Sequence, residues 1–349
     1  MRSLTLLLIV VFIPGVLFSQ STYSWEKLEE FQDIYNPFGM YKINNEALVI
    51  HDIRNSEYPI NLLSINGENI QITENLKSAN GPGEVHSTFY KRVSTFSNGN
   101  ILLWDGGRRA LTKFSDDLKY LDDINGEPLN SSILQAGLIN DSTLVLVEND
   151  GESIFKAYRI QENEIIGNDP LWKVSFDEYP KLNGLKNFIL MQAMYLKNYE
   201  NILYVTFQHS SIIIGLDHKG ILFINDKPDE NLFPEFDPEN PTYSLPRMGS
   251  YEEGVRDFDV DGDYIFVIYK GETTSKWEQI RAQNRFDELI EEIKHSKRLL
   301  IYERITGDFV YETALPKDAK QISVVGNDFY LLNSLEDYPT IYRYQLNVN

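Results

Sequence analysis

Short apolar runs alternate with turn-forming residues along most of the chain, and this pattern predicts paired β-strands. In one copy, the turn at residues 97–100 leads into the apolar run ILLW, which ends at the acid Asp105. A polar loop and another apolar run follow, in the order expected of an antiparallel meander. Helical periodicity is confined to one segment, so the sequence predicts an all-β fold.

The same unit recurs six times, at a spacing of about 55 residues. The turns and the strands that they precede are 44–46 before ALVIHDI, 97–100 before ILLWDGG, 140–142 before TLVLVEND, 198–201 before ILYVTFQ, 261–263 before YIFVIYK and 326–328 before FYLLNS. Radial repetition of four-stranded meanders protects most strand edges and defines a β-propeller. We therefore expect a six-bladed β-propeller over residues 20–349.

The two ends of the chain complement each other. The last unit, residues 321–348, is one strand short of a full meander, and the segment STYSWEKLEEF near the N-terminus has the alternation of a strand. We expect this segment to form the outer strand of the last blade. It would then close the ring without a covalent link, in a chain that contains no cysteine.

One segment, residues 276–297, interrupts the fifth unit between its second and third strands. Trp277, Phe286, Leu289 and Ile293 fall close to one stripe at helical spacing. We expect an inserted amphipathic helix. Its stripe either packs on the rim of the propeller, which requires only intramolecular cover, or serves as a lid or docking arm.

The first 19 residues have the organisation of a cleaved secretory signal. Arg2 precedes an apolar run, Pro14 breaks that run, and we expect cleavage after Ser19. The run is too short to span a bilayer comfortably, although an uncleaved anchor is the alternative. The protein is therefore expected to be exported, periplasmic or extracellular, and not membrane-spanning after cleavage. The lack of cysteine also rules out a lipoprotein anchor.

The charge of the chain narrows the choice of partners. Its formal net charge of −20 at pH 7 repels nucleic-acid phosphates and anionic lipids, so we expect neither as a partner.

Several segments carry a resemblance to known propellers. They are Gly81-Pro82-Gly83-Glu84 before an inner strand, GNILLWD, LTKFSDDLKYL, DFDVDGDYIFVIYKGE, and GNDFYLLN with PTIYRYQL. Together they resemble the exported six-bladed, TolB-like propellers of Bacteroidota. In the related NHL-repeat propellers an Asp often ends the second strand, as Asp52 and Asp105 do here, whereas the later units depart from this pattern. The resemblance covers most of the mature chain and implies a fold and export, but no reaction.

Gly81-Pro82-Gly83-Glu84 is better explained as a turn than as a phosphate loop. His86 stands where a dinucleotide loop would place its third glycine, and Pro82 lacks an N–H for a phosphate.

Asp257-x-Asp259-x-Asp261-Gly262 resembles the start of a calcium loop. However, Ile268 stands where the closing acid would be, and residues 261–262 occupy the inter-strand turn of the repeat. We therefore interpret this motif as a turn as well.

Alignment of the units on their second strands predicts a polar site. It places Arg92, Gln135, Gln192, Arg256 and Gln321 at matching positions of the inner strands, which surround the channel of a propeller. Glu84, His86 and Asp105 are expected to open on the same face. We interpret these eight residues as a site at a channel mouth, for an anionic or sugar-like ligand or a protein partner. The alternative is that they hold channel water and neighbouring backbone.

Two functions remain open. The absence of a recognisable acid, base or nucleophile constellation favours an exported, non-catalytic binding module that needs no cofactor. The alternative is a metal-dependent hydrolase or lyase, similar to a lactonase, with a channel cation such as calcium. Asp52, Asp105, Glu148 and Asn333 would supply its ligands if they converge.

The signal prediction can be tested by expressing the full chain in a Gram-negative bacterium. We expect the exported protein to begin at Gln20, as read by N-terminal sequencing of the soluble periplasmic fraction. Ser19→Trp should slow cleavage, because signal peptidase requires a small residue at the cut. A membrane-bound protein that retains Met1 would contradict cleavage and indicate an anchor.

Overall fold

The computed structural model describes residues 25–67, 69–79, 81–86, 91–130, 133–148, 150–186, 194–229, 252–273, 295–335 and 337–346. The predicted signal at residues 1–19, the helical insertion up to residue 294, and Gln192 lie outside these ranges. Among the described residues, no helix is both long and apolar enough to cross a membrane.

The described residues form the predicted six-bladed β-propeller, with one antiparallel sheet for each blade. Each blade runs from an inner strand near the axis to an outer strand at the rim. Blade one contains β2 (Pro37–Asn44), β3 (Ala47–Asp52), β4 (Ile60–Asn66) and β5 (Asn69–Leu76). Blade two contains β6 (Lys91–Thr95), β7 (Ile101–Asp105), β8 (Ala110–Phe114) and β9 (Tyr120–Ile124). Blade three contains β10 (Ile133–Asn140), β11 (Thr143–Glu148), β12 (Ser153–Gln161), β13 (Glu164–Ile166) and β14 (Trp172–Ser175).

The other three blades follow the same plan. Blade four contains β15 (Met194–Tyr199), β16 (Ile202–Phe207), β17 (Ile213–Asp217) and β18 (Gly220–Asn225). Blade five contains β19 (Glu252–Asp261), β20 (Tyr264–Thr273), β21 (Ser296–Glu303) and β22 (Phe309–Ala319). Blade six contains β23 (Gln321–Val325), β24 (Asp328–Asn333), β25 (Thr340–Gln345) and β1 (Trp25–Glu30). Two short 3₁₀-helices, Glu127–Asn130 and Pro180–Lys186, lie in loops between blades. The predicted insertion lies between β20 and β21, but its predicted end at residue 297 is wrong, because β21 already begins at Ser296.

Tight turns join the inner strand of each blade to its second strand. The turns predicted from the sequence are confirmed. Two of them depend on glycine, because Gly262 and Gly326 have φ angles of 56° and 60°. This left-handed region favours glycine because a side chain is strained there. These turns define one face of the propeller, which we call the tight-turn face. The inner strands begin, and the second strands end, on the opposite face.

The N-terminal strand closes the ring as predicted. β1 pairs antiparallel with β25, from Trp25 opposite Tyr344 to Glu30 opposite Thr340. The N–H of Phe31 then donates to the carbonyl of Pro339, 2.9 Å away. The last blade therefore combines the two ends of the chain, and non-covalent pairing holds the ring shut.

The core lies between the blades, which pack face to face. Second strands such as β7 and β11 are buried along their whole length, so they are apolar on both faces. The outer strand β5 instead alternates between exposed and buried positions, because only one of its faces is covered. Burial on both faces explains why the second strands are the continuous apolar runs of the sequence.

The closure can be tested by replacing Trp25–Glu30 with a Gly-Ser segment of equal length. We expect the free energy of unfolding, measured in urea, to fall by about 3–5 kcal/mol, since several backbone hydrogen bonds to β25 are lost at about 1 kcal/mol each. Lys27→Ala is the control, because it leaves the backbone pairing of β1 with β25 unchanged and removes an exposed ion pair with Glu30. It should change the free energy by less than about 0.5 kcal/mol. Equal unfolding midpoints for the replacement and the control would contradict this role of β1.

Candidate functional site

The alignment of the inner strands is correct for three of the predicted site residues. Arg92 lies opposite Trp104, Gln135 opposite Val147, and Gln321 opposite Leu332. Each of these partners immediately precedes the last residue of its second strand. The three side chains therefore start from equivalent points around the channel.

Arg256 lies at a bulge of β19, between Val255 and Asp257. Like the other three, it is enclosed: Arg92, Gln135, Arg256 and Gln321 are each at most 3% exposed. These side chains thus lie within the channel rather than on an open surface, and their contact with a ligand stays a prediction.

Arg92 crosses the axis of the propeller. Its guanidinium donates to the carbonyl of Lys91, 2.9 Å away, and to that of Met194 in blade four. It also lies over the rings of Phe38 and Tyr195, with its central carbon 5.6 and 5.7 Å from their centroids. Blades one, two and four therefore meet around this side chain.

Glu84, His86 and Asp105 lie together in the loops of blade two. The N–H of His86 donates to Asp105, 2.7 Å away, and Asp105 forms a buried ion pair with Lys91 at 3.0 Å. Burial lowers the pKa of Lys91, against the opposing charge of Asp105. The Glu84 side chain accepts from the N–H of Gly81, which confirms a turn here. Sequence reasoning missed Lys91, the counter-ion of the cluster.

The acids that end the second strands of blades one and two accept hydrogen bonds from the backbone of nearby loops. Asp52 accepts hydrogen bonds from the N–H groups of Tyr35, Asn36 and Arg54. Asp105 accepts in the same way from Gly107 and Arg108, as well as from His86. These acids fasten the loop between the second and third strands to the chain that enters the blade.

Glu148 and Asn333 also bind nearby groups, Glu148 within blade three and Asn333 in blade six and at the end of blade five. Glu148 pairs with Lys156 at 2.8 Å, while Asn333 donates to the carbonyl of Asp318 and accepts from Leu335. Among the residues that the structure describes, no three His, Cys, Asp or Glu side chains are grouped so as to hold a metal ion. The four ligands considered for a channel cation thus serve separate loops.

The Asp-x-Asp-x-Asp motif of β19 fastens blade five to blade six. Asp257 accepts from the N–H of Ile322 at 2.9 Å, and Asp259 from that of Val324 at 2.7 Å. Asp261 accepts from Gly326 at 2.8 Å. The three acids are spaced two residues apart along β19, and so are the three N–H groups along β23 and the turn that follows it. The carboxylates of β19 therefore match the N–H groups on one edge of β23. The turn predicted at 261–262 is confirmed, but this pairing was not predicted.

Lys197 of blade four balances these carboxylates. Its ammonium lies 3.5 Å from Asp257 and 3.7 Å from Asp259, and it donates to the carbonyl of Ile322 at 3.0 Å. Burial raises the pKa of Asp257 to about 6, although the charge of Lys197 opposes this shift. Three blades therefore meet at one buried charge cluster on the axis.

Several buried side chains contain polar atoms that form no hydrogen bond in the described structure. Among them are His51, with both ring nitrogens, and Gln321, with both amide atoms. Burial, together with the charges of Lys91 and Arg92, lowers the pKa of His51, so its ring is neutral. Water or a ligand atom would satisfy such groups, and both interpretations of the predicted channel mouth therefore remain open.

A cavity of about 370 Å³ opens at the tight-turn end of the channel, and we call it the axial cavity. The ends of the inner strands of blades one to five surround it. Its polar lining includes Lys42, Thr95, Asn140, Lys197, Asn198 and Asp259. The buried charge cluster of Lys197 and Asp259 lies on its inner side, while Asn140 and Asn198 are partly exposed. This cavity thus lies at the opposite end of the channel from the predicted mouth.

The walls of the axial cavity are held by contacts between blades. Asn198 accepts from the N–H of Thr95 at 3.0 Å and donates to the Thr95 carbonyl at 2.7 Å. Lys42 pairs with Asp261 across the channel and lies 5.3 Å from the ring centroid of Tyr199. These fixed walls make a preformed concave site of the kind that binds small molecules.

No protein-family model matches the chain, and neither does any curated protein. Solved structures share its fold. A Bacteroides fragilis protein whose name describes it as exported superposes with a TM-score of 0.56 at 13% identity, covering 93% of this chain and 95% of its own. A Bacteroides thetaiotaomicron protein of unknown function gives 0.49 at 9% identity, covering 93% and 76%. Virginiamycin B lyase from Staphylococcus aureus gives 0.48 at 12% identity, covering 93% and 100%. At these identities the likeness extends to the fold alone.

The buried cluster predicts a specific pH dependence. Because the pKa of Asp257 is about 6 in the folded protein and 3.8 as its ordinary value, the folded state binds a proton between these values and the unfolded state does not. This contribution to stability is complete below pH 4 and is lost as the pH rises through 6. Relative to Asp257→Asn, the wild type should lose up to about 3 kcal/mol of unfolding free energy over this range.

Urea unfolding of dilute protein between pH 4.5 and 8 measures this difference. Asp263→Asn, an exposed position in the adjoining turn, controls for the loss of one surface carboxylate. If the difference in unfolding free energy between the wild type and Asp257→Asn is the same at pH 4.5 and at pH 8, the raised pKa of Asp257 is contradicted.

Proposed function

We propose that the protein is an exported, non-catalytic binding module that holds a small polar ligand in the axial cavity. The observation that carries this proposal is the cavity itself, about 370 Å³ of preformed space whose walls include amide, ammonium and aromatic side chains. This volume lies at the lower end of the range for small-molecule sites, roughly 300–1,000 Å³.

The proposal moves the ligand from the channel end considered first to the tight-turn end. The four described inner-strand residues of the first set are almost fully enclosed, whereas Thr95, Asn140 and Asn198 are accessible from solvent. A ligand therefore reaches the axial cavity without any rearrangement of the described residues.

Two observations support export. Residues 1–19 have the pattern of a secretory signal. The Bacteroides fragilis protein that shares this fold is also named as exported. The absence of cysteine is compatible with either redox environment.

Plugging the cavity tests the proposal. Thr95 lines the cavity, and its backbone groups, which Asn198 binds, are unchanged in Thr95→Trp. Thermal unfolding with a panel of monosaccharides, polyols, amino acids, dicarboxylates and nucleosides should identify a compound that raises the melting temperature of the wild type, because binding stabilises the folded state. Thr95→Trp should abolish this rise.

Thr73→Trp is the matched control, since it places the same side chain on the exposed outer strand of blade one. It should retain the full response. If no compound in the panel stabilises the wild type, or if Thr95→Trp responds equally, the axial cavity is not the site.

A further inference from the structure

A second cavity adjoins the axial cavity on the same face. It has a volume of about 290 Å³ and lies between blades two and three, where we call it the outer cavity. Phe96 and Asp141 line both cavities and form the threshold between them. Asp141 is fixed there, because it accepts from both the N–H and the hydroxyl of Ser97. The two cavities therefore adjoin at these residues, and we call them together the cleft.

The cleft is long enough for an extended ligand. Phe96 directly follows the inner strand of blade two, whereas Lys113 and Gln161 of the outer cavity lie on third strands. Third strands are two strand spacings from inner strands, a distance of about 10 Å. A ligand that fills both cavities is thus longer than one small ring.

Several side chains of the cleft have hydrogen-bond donors or acceptors that bind no other described residue. The Oδ1 atoms of Asn98 and Asn140 accept from their own turns, but their Nδ2 atoms donate to no partner among the described residues. Gln161 and Glu162 make no side-chain hydrogen bond within the same part of the chain. The cleft thus offers both donors and acceptors, and hydroxyl groups, which both donate and accept, match such a lining.

The basic side chains of the cleft already have partners, whereas the carboxylates of Asp141 and Glu162 form no ion pair among the described residues. Lys42 pairs with Asp261, Lys197 with Asp257 and Asp259, and Glu200 with Arg304 at 2.8 Å. Lys113 lies over the ring of Phe96, 4.7 Å from its centroid. With a net charge of −20 on the whole chain, an anionic ligand is repelled, whereas the hydroxyl groups of a neutral ligand can donate to the carboxylates of Asp141 and Glu162. A neutral ligand fits best.

The borders of the cleft favour a sugar over a peptide. Turns line it, including the tight turn after β6 and residues 161–163 after β12, and no unpaired strand edge is available to a peptide backbone in the described lining. We infer that the axial and outer cavities together bind a linear, neutral oligosaccharide of two or three units. This inference rests on the proposed function, because its first unit occupies the axial cavity.

Binding of neutral sugars as a function of chain length tests this inference. Mono-, di- and trisaccharides of glucose, mannose, xylose and N-acetylglucosamine are screened on an array, and the hits are measured by calorimetry. Within one series, we expect the trisaccharide to bind at least about 10-fold more tightly than the monosaccharide, a gain of about 1.4 kcal/mol. Gln161→Trp, which fills the outer cavity, should remove this gain and leave monosaccharide binding intact.

Gln71→Trp carries the same substitution on the exposed outer strand of blade one and should bind like the wild type. The inference is overturned if no sugar binds, if chain length has no effect, or if Gln161→Trp binds the trisaccharide normally. A non-sugar compound whose binding is lost in Thr95→Trp would leave the proposed function standing while this inference fails. If no ligand is sensitive to Thr95→Trp, the proposed function fails instead.

Discussion

The inner strand of a propeller blade has one edge that no sheet can pair. That edge faces the channel axis, and its N–H and C=O groups are buried, so they need hydrogen-bond partners from elsewhere. In the described part of this protein, side chains of other blades provide them. Asp257 and Asp259 bind the edge of β23, Asn198 binds Thr95, and Ser94 accepts from the N–H of Leu138 at 3.2 Å. This requirement places charged and amide side chains on the axis of an otherwise apolar fold.

Buried carboxylates in turn require cations. Lys197 reaches across from blade four to the two acids of β19, and Lys42 reaches from blade one to Asp261. Replacement of one partner alone would leave an uncompensated buried charge, so these residues depend on one another. Lys197, Lys42 and Arg92 each contact a blade that is not adjacent to their own in the ring.

The parts of the fold that depend on local signals could be read from the sequence. Each hairpin has its turn residues next to its apolar run, and the six copies together with the missing last strand were sufficient to predict the propeller and its closure by β1. The alignment of inner strands was correct for Arg92, Gln135 and Gln321. The contacts between blades could not be predicted, because Asp257 and Ile322 are 65 residues apart and each looks ordinary in its own strand. The axial cavity was not predicted either, since its lining comes from the inner strands of five blades that lie far apart in the sequence.

A polar residue on a propeller axis is therefore weak evidence of a ligand when taken alone. Asn198 and Asn140 illustrate the distinction, because both are asparagines at the ends of inner strands and both line the axial cavity. Asn198 uses its oxygen and its nitrogen on the backbone of Thr95, so the demands of the fold account for it completely. Asn140 uses only its oxygen, to shape the turn at Ser142, and its Nδ2 group faces no described acceptor. Function in this protein should thus be sought among the side chains whose hydrogen-bonding capacity exceeds what the neighbouring strands require, and these lie along the tight-turn end, from Asn140 outward to Glu162.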